Sequence, residues 1–376
     1  MDLSVPAALS PSSPPAVSVV IPARNEEASI GTCLQSLTAQ TGVSFEIIVI
    51  DDGSTDRTRE IAESFPGVRV ISPGALPTDS AGKRWTGKNN AVVAGAQQAR
   101  ASWLLFIDAD TVHRPGSLAL ALNEAKRERA DLLSYSPEQA VETFSERAVM
   151  PVIFAELAAR YPLHRVRDQN SGVVAANGQY ILVRRSAYDS VGGHAAVGTE
   201  ILEDVALARL FRNAGFCVYF RYGGGAVRAR MYRSWAQLRE GWTKNLALLF
   251  PHPERVAASS LSQWIMAWFA IYVAASGAFT RHFIWTLAAA LWLLVYRRIR
   301  TAHFSTTNNL IAIAFGLPIL AYLLLLSNRA HANGRVSWKG RDYDVCTQYD
   351  AKSPNKHSVT ARPRLERQGF KLRAKS

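Results

Sequence analysis

Residues 103–111, WLLFIDADT, carry an unbroken apolar run straight into two carboxylates, Asp108 and Asp110. The run predicts a buried strand, which needs other elements to cover it. Carboxylates two apart at a strand end can hold a hard divalent cation while a diphosphate supplies other oxygens. That arrangement suits a nucleotide-sugar site. An ordinary Asp-rich turn gives the same spacing, so the rest of the chain must decide between them.

Two upstream segments repeat the pattern. Residues 17–27, VSVVIPARNEE, give an apolar strand, a Pro-terminated end and a helix start, and residues 46–56, EIIVIDDGSTD, give a second strand and turn. Both fit a βαβ repeat, whose binding crevice lies beyond the carboxyl ends of parallel strands. Asp51 and Asp52 are therefore expected on the same side of a sheet as Arg24, Asn25 and Glu26. The Asp-Asp-Gly-Ser stretch also suits a tight turn, with Ser54 or Thr55 predicted to cap a helix running through Glu63. Capping does not exclude binding, because a carboxylate at this edge can accept hydrogen bonds from a uracil or ribose.

With TGKNNA at 86–91 and LEDVALA at 202–208, the motifs IPARNEE, VIDDGSTD and FIDADT stand in the order and spacing of a known family. Over roughly residues 17–245 the chain resembles glycosyltransferase family 2 of the GT-A fold. The resemblance implies an α/β, Rossmann-like nucleotide-diphospho-sugar transferase domain. Two later segments, RARMYRSW with GWTKN (228–245) and VSWKGRDY (336–343), resemble the membrane-bound branch that glycosylates lipids, including ceramide, hopanoid and carotenoid glycosyltransferases.

The same resemblance implies roles residue by residue. Pro22, Ala23, Arg24, Glu26, Asp51, Asp52, Lys88 and Asp108 fall in the nucleotide region, although Lys88 also reads as a surface charge at a helix start. Asp110 is expected as the main protein ligand of Mg²⁺ or Mn²⁺, with Asp108 assisting or binding ribose. Asn177, Gly178, Gln179, Glu203, Arg230, Arg233 and Trp235 are expected around the donor sugar and acceptor. Glu203 and Asp204 open an amphipathic helix whose dipole favours an anion, and the family makes Asp204 the base that takes the acceptor proton. Direct attack would then invert an α-linked donor to a β-linked product, a stereochemistry carried from the family. Arg184 and Arg185 can meet phosphate or simply end a strand. One departure stands out: related enzymes carry Gln/Arg-x-x-Arg-Trp, whereas here Ser234 intervenes between Arg233 and Trp235, and GWTKN offers a second tryptophan, Trp242, with Lys244.

A chain of 376 residues can hold one α/β domain of about 230 residues and a smaller appendage. The expected organisation is a flexible leader (1–16), the GT-A domain (17–255), a membrane region (256–330) and a basic, partly disordered C-terminal segment (331–376). The leader lacks a charged start and an apolar core, so no signal peptide is expected there. Cys33, Cys217 and Cys346 share no metal-like or redox spacing, which favours reduced thiols and a cytoplasmic catalytic side. Of the net charge of +13, residues 327–376 carry +8, from twelve Lys or Arg against four acids. No nucleic-acid-binding motif accompanies that excess, so no nucleic-acid partner is expected; anionic lipid headgroups are the expected partner beside a nucleotide-sugar donor and a membrane lipid acceptor.

Three apolar stretches follow the catalytic region, at 261–279, 283–296 and 309–326, flanked by Arg281, Arg297, Arg298 and Arg300. The first and third approach the roughly 20 residues that span hydrocarbon; the second is shorter. Pro318, close after Gly316, predicts a kinked, re-entrant third helix, which would return the C-terminal segment to the catalytic side; three crossings and an external tail are the alternative. VSWKGRDY would then lie at the active site's membrane edge, with Trp338 as anchor and Lys339 or Arg341 meeting anionic groups. Residues 148–159 read either as a membrane-surface helix or as a packed one. The expected function is an inverting hexosyl transfer from a nucleotide-diphosphate sugar, most simply a UDP-sugar, to a hydroxyl or carboxyl group of a membrane lipid. A processive polysaccharide synthase, a polyprenyl-phosphate sugar transferase and a non-enzymatic membrane scaffold are the alternatives.

Overall fold

The computed structural model describes residues 14–276 and 281–344. Most of the expected leader, Cys346 and the greater part of the basic tail lie outside the described residues. Along the chain run β1 (Val17–Ala23), β2 (Phe45–Asp51), β3 (Val68–Ile71), β4 (Trp103–Ile107), β5 (Thr111–His113), β6 (Leu132–Ser136), β7 (Glu138–Gln139), β8 (Tyr180–Arg184), β9 (Val218–Tyr222) and β10 (Val227–Ala229). Seven of them form one mixed sheet in the order β3-β2-β1-β4-β8-β6-β9, while β5, β10 and β7 form a small second sheet. β1 pairs in parallel with β2 and β4. The chain winds outward from β1 through β2 to β3, then crosses back to β4 on β1's other side. This reversal makes a switch point between β1 and β4, where open α/β sheets bind ligands. β8 runs antiparallel to β4, with Ile107 opposite Tyr180, so the start of β8 meets the end of β4 at that edge.

Both faces of the sheet are covered, as the apolar runs require. Val19 and Ile21 of β1 pack with Ile30, Leu34 and Leu37 of the Ile30–Thr38 helix. Val20 points the other way, to Ala91, Val92 and Ala96 of the Gly87–Gln98 helix. The period-2 alternation of a strand thus feeds two cores. Neither Ser54 nor Thr55 caps the helix, contrary to the sequence expectation. Their turn is tied to the β1 loop: Asn25 N donates to Ser54 Oγ (3.1 Å) and Thr55 N to Asn25 Oδ1 (2.9 Å). The helix begins only at Thr58, whose N–H donates to Asp56 Oδ1 at 3.0 Å.

A third core joins the sheet domain to the apolar helices. The Phe144–Arg160 helix starts with a capping box between Thr143 and Glu146 and buries Val149, Val152 and Ile153 against Leu317 and Leu320. It is a packed helix. The first apolar stretch lies, as far as Ser276, in the Pro253–Ser276 helix, its last three residues falling outside the described ones, and the second lies in the Arg281–Ile299 helix; the third runs through a helix from Thr306 to Ala332. Among the described residues two helices are long and apolar enough to cross a membrane, Pro253–Ser276 and Thr306–Ala332. Pro318 does not break the latter. A π-helical turn at Ala312–Gly316 absorbs the ring, and the Ala314 carbonyl, which a proline four residues on cannot serve, accepts Trp264 Nε1–H at 2.8 Å. Gly316 is required there, since any side chain would strike the Ala148 carbonyl.

The described chain ends in a hairpin of β11 (Arg335–Trp338) and β12 (Arg341–Asp344). Its two-residue turn places Lys339 and Gly340 at φ +48° and +73°, the left-handed pair that matches a hairpin's twist.

Candidate active site

A cleft of about 510 Å³ opens at the carboxyl ends of β1, β2 and β4. Pro22, Ala23, Arg24 and Glu26 line it from β1, and Arg24 Nη1 donates to the Asp52 carbonyl at 2.6 Å. Asp52 faces the cleft; Asp51 does not. The Asp51 carboxylate turns back to accept Ser54 N–H at 3.2 Å and lies 3.6 Å from Arg59, so it stabilises the turn.

Lys88, projected by the helix that Thr86 caps, sits between two carboxylates, 2.7 Å from Asp108 and 2.9 Å from Glu203. Burial would depress its ammonium, but the two charges outweigh burial and hold it well above the usual lysine range. Glu203, also buried, is held below the usual carboxylate range by Lys88 and then Lys244. Its neighbour is the opposite case. Burial and then the Glu203 charge push Asp204 up to about 6, although its oxygens accept N–H groups from Gly178 (2.9 Å) and Val205 (2.8 Å). Two adjacent carboxylates with divergent affinities for a proton can divide acid and base tasks between them.

Asp110 lies deeper. Its Oδ1 is sealed from solvent and has no hydrogen-bond partner, and burial together with the charges of Asp108 and Glu26 raises its pKa well above the ordinary value. An orphaned carboxylate beside a second one is what a divalent cation would satisfy. Among the described residues no cluster of three or more metal-ligating side chains exists, so the protein offers two carboxylates and a bound diphosphate would supply the rest.

Asn177, Gly178 and Gln179, just ahead of β8, line the opposite wall. Arg230 and Arg233 reach the cleft as well; Arg230 pairs with Glu142 at 2.6 Å, and Arg233 donates to the Ala28 carbonyl at 2.9 Å. Trp235 is not in the cleft. Ser234 caps the following helix by accepting Gln237 N–H, which sends Trp235 outward to stack on Tyr322 with 40% of its surface exposed. Tyr232 and Trp338 are the aromatic side chains that line the cleft instead. Arg184 and Arg185 stand at the far edge because β8 runs antiparallel; Arg184 pairs with Asp131, and Arg185 donates to the carbonyls of Ala99 and Ala101.

The hairpin enters the cleft, with Trp338, Lys339 and Arg341 among its lining residues. Lys339 pairs with Glu26, and Arg341 makes a two-armed pair with Asp52. A side chain at Gly87 would collide with both partners of that second pair, so the TGKNNA glycine is fixed by close approach. Trp338 lies under Lys244, 5.2 Å from its ring centre. Sequence alone signals two cations around a hairpin turn. It gives no hint that their partners stand roughly 290 or more residues away in the chain.

The chain belongs to glycosyltransferase family 2: the Glycosyl transferase family 2 model matches residues 18–192, and the similarity extends well beyond them. The 4,4'-diaponeurosporenoate glycosyltransferase of Staphylococcus haemolyticus is 30% identical over 358 residues, and that of Staphylococcus aureus (strain USA300) is 28% identical over 342 residues; each match covers 88% of both chains. Among solved structures, glucosyl-3-phosphoglycerate synthase from Mycobacterium tuberculosis aligns with 62% of this chain and 78% of its own (22% identity, TM-score 0.41). The Pyrobaculum calidifontis mannosyltransferase PcManGT aligns with 86% and 89% (14% identity, TM-score 0.43). The seven-stranded sheet, its switch point and the family match define a GT-A enzyme.

Proposed function

We propose that this glycosyltransferase moves a hexose, with inversion, from a UDP-sugar to a hydroxyl or carboxyl group of a membrane lipid. The observation that carries the reading is Asp204: a carboxylate pushed up to about 6, hydrogen-bonded to Gly178, in the same cleft as the orphaned Asp110. Asp52 and the end of β1 hold the nucleoside, and Asp110, with Asp108 assisting, would hold Mg²⁺ or Mn²⁺. That cation, when bound, supplies Lewis-acid neutralisation of the departing diphosphate. Lys88 holds Asp108 and Glu203 in place and keeps Glu203 ionised, and Arg230 adds a cation near the diphosphate. Near neutral pH Asp204 is largely ionised yet basic enough to take a hydroxyl proton as the oxygen attacks the anomeric carbon.

A lipid acceptor is supported by the relatives' name and by the apolar faces of the C-terminal helices, where Ile265, Met266, Phe269 and Tyr272 are each more than half exposed. We place these helices in a cell membrane with the catalytic domain on the cytoplasmic side, facing anionic headgroups. The relatives' acceptor is named as a carboxylate, which needs no base; a hydroxyl does. Membranes containing the protein are incubated with labelled UDP-glucose, UDP-galactose or GDP-mannose, a lipid extract and Mg²⁺ or Mn²⁺. Labelled lipid dependent on Asp204 supports a hydroxyl acceptor; labelled lipid that survives Asp204→Asn supports a carboxylate. Absence of transfer from every donor would overturn the proposal.

A further inference from the structure

A second cavity, of about 190 Å³, adjoins the cleft. Phe154, Leu157, Val205, Phe220, Leu249 and Phe304 are among its lining residues, and no Asp, Glu, Lys or Arg lines it. The donor cleft is the reverse, crowded with charged groups. The two are neighbours. Asn177 lines both, and the hydrogen bond from Gln139 on the cavity side to Gln179 on the cleft side (3.0 Å) completes the partition. The base and the cavity are consecutive in the chain: Asp204 lines the cleft and Val205 lines the cavity. On the far side, residues 301–304, which join two of the apolar helices, close the wall, with His303 stacked on Tyr222 at 4.1 Å.

A nucleotide diphosphate would find no Lys or Arg in such a space, and although Ser136, Gln139, Tyr161, Tyr222, Thr301 and His303 add polar atoms, the wall is mainly apolar. A molecule that occupies both chambers has a polar end at Asn177 and an apolar body beyond it. We infer that this cavity seats the stretch of the acceptor's hydrocarbon chain next to its reacting group, and so fixes that group at Asp204. The inference rests on the glycosyl-transfer reading and adds the chain-binding site. Each methylene withdrawn from water there favours binding about fourfold, so acceptor affinity rises with chain length until the cavity is full.

The test uses the full-length protein in nanodiscs and a diazirine-bearing C15 isoprenoid alcohol as probe. Photolabelling is expected on peptides containing Leu157 and Phe304, and Ala302→Trp, which fills the cavity, is expected to abolish that labelling and raise the KM of the alcohol at least tenfold. Binding of UDP stays unchanged. Leu157→Ala, which removes contacts without adding bulk, is expected to raise the same KM severalfold and covers the case in which Ala302→Trp does not fold. Labelling confined to the outer faces of the apolar helices would overturn the inference, as would an unchanged KM in both variants while transfer continues. Labelling in the cavity without transfer to any acceptor would sustain the lipid site and sink the transferase reading.

Discussion

Replacing Asp204 by Asn should make the protein a far poorer catalyst and a more stable fold at neutral pH. Burial holds the folded carboxyl at about 6 against 3.8 for an ordinary one. A group whose folded pKa is raised contributes stability below the unfolded value and loses it as pH rises through the folded one. At 1.36 kcal/mol per pH unit the ionised side chain is a liability of at most about 3 kcal/mol at pH 7.5. Asn removes that liability but can accept only one of the two N–H groups now on Asp204, from Gly178 and Val205; the orphaned donor costs about 1–2 kcal/mol. The net is a gain of about 1–2 kcal/mol at pH 7.5, or a melting temperature a few degrees higher, and a loss near pH 3, below the unfolded value, where the wild-type carboxyl is protonated in both states. Turnover with a hydroxyl acceptor should fall by about 10²–10⁴ with donor binding retained. The wild-type rate should decline as pH drops through about 6, and that inflection should vanish in the variant. Glu203→Gln should cost less. Thermal melts at both pH values, with initial rates, decide the matter: near-wild-type turnover, or a melting shift of the same sign at both pH values, refutes the argument.

Asp110→Ala should abolish metal-dependent UDP binding and reduce turnover by at least about 10²-fold, with folding intact, because it removes the carboxylate positioned for the cation; near-normal turnover at limiting Mn²⁺ would show that the ligand lies elsewhere. Arg341→Ala and Asp52→Ala should be non-additive by about 1–3 kcal/mol in UDP binding measured calorimetrically, since the two side chains form one half-buried pair; strictly additive losses would mean that they act separately. In sealed, right-side-out cells, a cysteine at Ser337 should resist a membrane-impermeant thiol reagent and one at Ser276 should react; labelling at Ser337 would remove the hairpin from the catalytic side.

Strand ends announced themselves in the sequence because each buried run stops at a polar turn, and parallel strands deliver those turns to one edge. This made Asp52, Asp108 and Asp110 visible as neighbours before any coordinates. Asp51 shows the limit of that logic: two adjacent acids both suit a turn and a ligand, and only the hydrogen bond to Ser54 separates their tasks. Trp235 shows another limit, because one inserted serine recasts a motif as a helix cap and rotates the tryptophan out of the site. The hairpin was illegible for a third reason. Pairing between Arg341 and Asp52 depends on tertiary closure across 289 residues, and no local pattern encodes a partner so far away.

The third apolar helix brings topology and chemistry together. Its start is joined to residues 301–304, beside Phe154 of the catalytic core, and Phe304 stacks edge-on against that ring at 6.1 Å. Its end is held there too, for Ser327 Oγ donates to the Thr243 carbonyl and the His331 ring bonds the Lys244 carbonyl. Between these points Phe315 meets Phe144 and Tyr322 meets Trp235. A helix tied at both ends and along its length is fixed against the catalytic domain, and the Trp264 bond to the Ala314 carbonyl ties it to the Pro253–Ser276 helix as well. The catalytic cleft and the hairpin are thereby held together, through Lys339 on Glu26 and Arg341 on Asp52, without a sharp re-entrant bend. The apolar cavity, walled partly by residues 301–304, lies where the start of this helix meets the domain, so a lipid chain seated there would offer its reacting group to Asp204.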